Sequence, residues 1–106
     1  MQSSELLSFI IDKADDMKGR DIITVDVRDK STVTDYMVVC SGTSTRHTKS
    51  IATYIANEMK KVDVQALGME GQASGDWVLL DMGSVVLHVM IDEMRQHYQL
   101  EKLWDA

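Results

Sequence analysis

Proline is absent from this chain of 106 residues and cysteine occurs once, at position 40. Without proline, a repeat or a low-complexity stretch, nothing marks a linker, so residues 1 to 106 are expected to form one domain. The lone Cys40 excludes a disulfide within the chain and fits a reducing compartment. It lies in the apolar run Tyr36 to Cys40 and reads as a small core residue. No stretch approaches the roughly 20 apolar residues that span a bilayer. The start, MQSSELLSF, also lacks the basic region and long apolar run of a signal peptide. A soluble cytoplasmic protein with no membrane partner is expected.

Basic residues are scarce in one half only. Residues 1 to 61 hold nine acids and nine bases, whereas residues 62 to 106 hold eight acids against Arg95 and Lys102, so that half carries the whole net charge of -6. Binding to nucleic acid depends on Lys and Arg displacing counterions, so direct nucleic-acid recognition through this half is disfavoured and a basic protein surface suits it better. Excess acid also keeps a small domain soluble, with no partner implied.

What is present is a core: 44% of residues are hydrophobic, enough for one domain without metal or disulfide. Ser3 or Ser4 can cap a helix with Leu6, Leu7, Ile10, Ala14 and Met17 at helical spacing, and Gly19 is placed to end it. Ile23, Val25 and Val27 alternate with polar residues, and after the turn RDKST a second strand, DYMVVC, completes a hairpin. SGTS leads into a helix with Ile51, Ile55, Met59 and Val62 on one face. A short strand is expected around Val64 to Met69, and Asp92 can cap a last helix through Met94 and Tyr98. The expected order is αββαβββα, an α+β fold with helices packed on a mixed sheet.

The stretch WVLLDMGSVVLHVM fixes its own pairing, because Gly83-Ser84 suits a two-residue hairpin turn. Met82 then faces Val85, Leu80 faces Leu87 and Val78 faces Val89, all apolar and all on one side. The other side pairs Trp77, Leu79 and Asp81 with Met90, His88 and Val86. Either a helix covers this second face and Trp77 is core, or the face meets a partner, since aromatics and Met are enriched at interface hot spots. The chain end RQHYQLEKLWDA can bring Tyr98, Leu100, Leu103 and Trp104 close to it.

Evidence for catalysis is thin. SGTSTRHT, Ser41 to Thr48, stands at a strand-to-helix junction where backbone N–H groups and Arg46 could cradle an anion. The need for a helix cap accounts for Ser and Thr there equally well, and the lysine of a phosphate-binding loop is missing. Asp63-Val64-Gln65 has an amide where a second metal-binding carboxylate would stand. His47, His88 and His97 lie on three different elements without ligand spacing. No enzyme, cofactor or metal is expected.

Three segments in order, TDYMVVCSGTSTRHTKSIA, GDWVLLDMGSVVLHVM and MRQHYQLEKLW, closely resemble the ribosomal silencing factor family, also known as Iojap-related proteins. The resemblance implies a nucleotidyltransferase-like fold without the catalytic acids. It implies a factor that binds the free large ribosomal subunit through its fourteenth ribosomal protein and blocks joining of the small subunit, repressing translation under nutrient limitation or in stationary phase. It further implies a homodimer when free and, for some relatives, a role in large-subunit biogenesis. Trp77, Asp81, Met82, Tyr98 and Leu100 match the partner-facing region. For Met82 that role conflicts with the alternation, which puts it on the core side. The competing reading is a nucleotidyltransferase-like enzyme that binds a nucleotide at Ser41 to Thr48.

Overall fold

The computed structural model describes residues 1–100 and 102. The elements follow the expected order: α1 (Ser3–Asp16), β1 (Arg20–Asp26), β2 (Tyr36–Gly42), α2 (Thr45–Lys61), β3 (Gly68–Glu70), β4 (Trp77–Asp81), β5 (Val85–Ile91) and α3 (Asp92–Tyr98). The five strands form one sheet in the order β1-β2-β5-β4-β3. It is mixed: β1 runs antiparallel to β2, β2 parallel to β5, and β5, β4 and β3 antiparallel in turn.

Period-two side-chain alternation divides the molecule into two cores. Val38 and Cys40 of β2, with Val85, Leu87 and Val89 of β5, point to the face covered by α1 and α2. There Leu6, Ile10 and Ala14 form the apolar stripe of α1, and Ile51, Ile55 and Met59 that of α2. Val25, Val27, Met37, Val39 and Met90 point to the opposite face and form a smaller cluster under α3, joined by Trp77, Met94 and Leu100. Cys40 is fully buried, and burial pushes its thiol up to about 12, which makes it unreactive packing.

Helix ends depart from expectation. The N-cap of α1 is Gln2, without a side-chain hydrogen bond, in place of Ser3 or Ser4; both serines fall inside the first turn. Gly19 does not take the left-handed position that ends α1; Lys18 does, at φ 60°. The Lys18 N–H donates to Asp15 O and the Gly19 N–H to Ala14 O, each at 2.9 Å, so the terminal carbonyls are satisfied one residue earlier than the glycine suggests. Asp63 (φ 61°) ends α2 in the same way. Asp92 does not cap α3. It opens the helix, and its carboxylate instead takes a hydrogen bond from Arg20 Nη2 at 2.7 Å.

The β4–β5 turn behaves as its two residues require. Gly83 has φ 85°, the Met82 N–H donates to Val85 O at 3.0 Å, and the register runs Asp81 with Val86 to Trp77 with Met90. A Cβ on Gly83 would meet only Leu67 Cδ1, at an ordinary 3.5 Å, so the obstacle to a side chain there is backbone strain alone. Gly83→Ala is therefore expected to lower unfolding free energy by about 1–2 kcal/mol and Ser84→Ala by less than about 0.5 kcal/mol, read from urea denaturation. Equal losses would show that the turn does not depend on the left-handed position.

Candidate functional site

On β4 the residues Trp77, Leu79 and Asp81 alternate onto the face away from α1 and α2, opposite Met90, His88 and Val86 of β5. α3 follows β5 directly and folds back over this face, touching β5 and β2. Its anchor is Arg95, which entered the sequence reading only as one of the two bases of residues 62 to 106. The guanidinium is buried and donates from Nη1 to Ser41 Oγ at 2.9 Å, across the end of β2. With only seven residues, α3 covers Val25, Val39 and Met90 but leaves the β4 side of the face half-buried.

There the aromatics meet. The rings of Trp77 and Tyr98 lie 5.0 Å apart and tilted, and His97 packs edge-on against Tyr98 at 4.8 Å. Tyr98 keeps 43% of its surface exposed and Trp77 is half-buried, so the indole belongs both to the second cluster and to the surface. Gln99, left-handed at φ 48°, ends α3, and Leu100 beyond it packs into the same cluster. Asp81 shares the face with Trp77, but its Oδ1 accepts a hydrogen bond from the Gly83 N–H at 2.9 Å, so this carboxylate also holds the turn. Met82 is the outlier of the five residues: it is 7% exposed and packs in the main core with Leu80 and Leu87. The alternation wins there, and the hairpin tip offers almost none of Met82 to a partner. Of the residues read into the chain end, Leu103 and Trp104 lie outside the described residues.

His88 is the site residue that sequence reasoning undervalued. Its Nδ1 accepts a hydrogen bond from Trp77 Nε1–H at 3.0 Å, which leaves Nε2 as the protonated nitrogen of the neutral ring. Burial lowers its pKa to about 4, because the imidazolium would have to be desolvated. The signal was in the register: with Trp77 opposite Met90, His88 is the diagonal neighbour, within reach of a long aromatic side chain.

At the other candidate, the protein uses its own groups. Ser44 caps α2 and its Oγ accepts from the His47 N–H at 3.1 Å, while the Thr43 N–H donates to His47 Nδ1 at 2.9 Å. His47 Nε2 then donates to Met17 O at 2.7 Å, tying the end of α1 to the start of α2. Thr48 Oγ1 bonds the carbonyl of Gly75, and a Cβ on Gly75 would lie 2.6 Å from Thr45 O, so the glycine-rich loop is packed against this turn. Two of the N–H groups that an anion would need, those of Thr43 and His47, are already satisfied. Among the described residues no group of three or more His, Cys, Asp or Glu is placed to hold a metal ion. No helix of the described residues is long and apolar enough to cross a membrane.

The family model for a ribosomal silencing factor during starvation matches residues 1–106. A Haemophilus influenzae protein named ribosomal silencing factor RsfS is 41% identical over 99 residues, covering 93% of this chain and 97% of that protein. A mouse protein named mitochondrial assembly of ribosomal large subunit protein 1 is 40% identical over 89 residues, which are 81% of this chain but 39% of that protein. A crystal structure of a Chromobacterium violaceum protein superposes with a TM-score of 0.97 at 37% identity, covering all of this chain and 88% of that one.

The environment of His88 sets a pH dependence. Because the folded state disfavours the imidazolium, the stability tied to the neutral ring is whole above the ordinary value of 6.5 and is lost as pH falls towards about 4, where the folded protein also takes up the proton. A tenfold change in proton affinity is worth about 1.4 kcal/mol, so between pH 7.5 and 5 this group alone removes about 2 kcal/mol. Denaturant titrations of the parent and of His88→Asn, which keeps an acceptor for the indole, are expected to differ in slope by that amount. Parallel pH profiles would mean that His88 titrates normally in the fold.

Proposed function

The chain belongs to the ribosomal silencing factor family, and from that membership we propose that it binds the free large ribosomal subunit and blocks joining of the small subunit by occupying the surface between them. The proposed contact is the subunit's fourteenth ribosomal protein, and the face that meets it is the one carrying Trp77, Tyr98, Leu100 and Asp81. The observation that carries this reading is the Trp77–Tyr98 pair, two large rings packed against each other at 5.0 Å on a sheet face that a short helix covers only in part. Half-buried aromatics of this kind anchor interfaces, because their area is large and few rotors must be frozen. The excess of acid in residues 62 to 106 supplies the complementary charge for a basic partner. Repression is then stoichiometric and steric, exerted in the cytoplasm, with a homodimer as the free form.

A second reading has its own support. The mouse relative is named for assembly of the ribosomal large subunit. An assembly factor would use the same face, on precursors of the large subunit instead of finished ones. Sedimentation of the purified chain with mature and with precursor large subunits separates the two. A nucleotide-transferring enzyme has less support, because the capping hydrogen bonds of Ser44 and His47 occupy the junction that would cradle a phosphate.

Two expected outcomes follow from the division of labour on the face. Trp77→Ala should raise the dissociation rate from large subunits at any salt, with a loss of about 2 kcal/mol or more, and melting curves must accompany it because the indole also packs in the second cluster. Asp81→Asn, which preserves an acceptor for the Gly83 N–H, should slow association chiefly at low salt. Binding unaltered in both, with the fold intact, would move the docking face elsewhere. Ser44→Ala should lower stability by about 1 kcal/mol while subunit binding stays within a few-fold. A tenfold loss of binding, about 1.4 kcal/mol, in a folded Ser44→Ala protein would place the site at Ser41 to Thr48.

A further inference from the structure

His88 has one nitrogen accounted for and one not. Nδ1 accepts from Trp77, so Nε2 carries the proton, and among the described residues nothing accepts from it. The side chain is only 8% exposed, and a buried donor without an acceptor costs about 1–3 kcal/mol. The ring also helps to wall a cleft of about 210 Å³ formed with Val27, Met37, Val86 and Leu100. Of the two hydroxyls in its lining, Ser31 Oγ accepts from the N–H groups of Val33 and Thr34, and Thr34 Oγ1 donates to Gly83 O at 3.2 Å. The other lining residues are apolar apart from His88, whose buried Nε2–H has no acceptor among the described residues.

From this we infer that the cleft is a second recognition pocket of the docking face, which takes one apolar side chain of the protein partner while His88 Nε2–H donates to a backbone carbonyl oxygen beside that side chain. The inference rests on the reading that this face docks a ribosomal protein. The occupant follows from the chemistry of the walls. Among the described residues no Lys or Arg lines the cleft, so a carboxylate or phosphate would lose its hydration without compensation, whereas a neutral carbonyl needs only one donor. The volume is smaller than the roughly 300–1,000 Å³ usual for a whole small-molecule ligand and suits a single side chain. Continuity with the aromatic patch identifies the partner as the same one: Leu100 packs in the cluster of Trp77 and also walls the cleft, and Val86 stands opposite Asp81 on this face. The imidazole is thus a two-sided element. It fixes the Trp77 indole with one nitrogen and presents a donor to the partner with the other.

The test measures binding of the full chain to purified large ribosomal subunits. His88→Asn keeps an acceptor where Nδ1 stands and removes the far donor. Val86→Phe fills the cleft from its wall. Both variants are expected to weaken binding about fivefold or more, the scale of one hydrogen bond or one excluded side chain, with near-parental melting and with the indole N–H resonance of Trp77 unmoved in His88→Asn. Either variant binding as the parent does, while Trp77→Ala loses binding, overturns the pocket and leaves the docking face standing. If the parent itself fails to bind large subunits, the docking face falls first and the pocket with it.

Discussion

Val38, Val39, Cys40, Leu87, Val89 and Met90 have no accessible surface, and all six lie on β2 and β5, the parallel pair at the centre of the sheet. Strands buried on both faces need a layer on each side, and a chain of this length has few helices with which to build two. α1 and α2 supply the first layer, with 14 and 17 residues. Among the described residues, α3 with its seven residues and Leu100 beyond it supply the second. That shortage determines the rest. α3 covers the β1, β2 and β5 part of the face, and Trp77 and Tyr98 close what they can of the remainder while staying partly in solvent. Among the described residues, the half-exposed aromatic pair is the edge of a core that α3 covers only in part.

Holding so small a helix in place takes polar contacts at its start and its middle. At its start, Asp92 pairs with Arg20 of β1, a surface ion pair of small worth. Arg95 contributes more, because its guanidinium is buried and bonded to Ser41, so removing either partner would strand a polar group away from water. These contacts join residues 54 to 75 positions apart and fix α3 against the ends of β1 and β2. The position of Tyr98 over Trp77, and hence the shape of the proposed docking face, follows from an anchor one turn earlier in the same helix.

Local and non-local information divided along these lines. Element order, the mixed sheet and the full β4–β5 register were legible, because a two-residue turn with glycine first leaves only one pairing that puts Val78, Leu80 and Met82 on a common face. The same alternation buries Met82, against its match to the partner-facing region, since one strand residue cannot serve both sides of a sheet. Helix ends were less legible. Gln2 and Lys18 sit where Ser and Gly were expected, because backbone hydrogen bonds closed those ends without the favoured residue types. Asp92 and Arg95 were out of reach, since their partners lie 72 and 54 residues away. His88 lay between these cases: its diagonal relation to Trp77 was implicit in the register, but three scattered histidines invited a search for catalysis instead of for a hydrogen bond.

If the face docks a partner as proposed, it is prepared before that partner arrives. Trp77 is held at its edge by His88 and on its ring by Tyr98, so little side-chain entropy is left to lose when it is covered, which is the main cost that weakens interfaces of a given area. A rigid anchor favours docking without rearrangement. On the proposed reading, the acidic excess of residues 62 to 106 would act earlier, at distances where the aromatics exert no force, by raising the frequency of encounter with a basic surface. Approach and retention would then fall to different residues. If this face docks as proposed, a chain with few aromatics can bind firmly because Trp77 and Tyr98 are fixed in advance on its half-buried part.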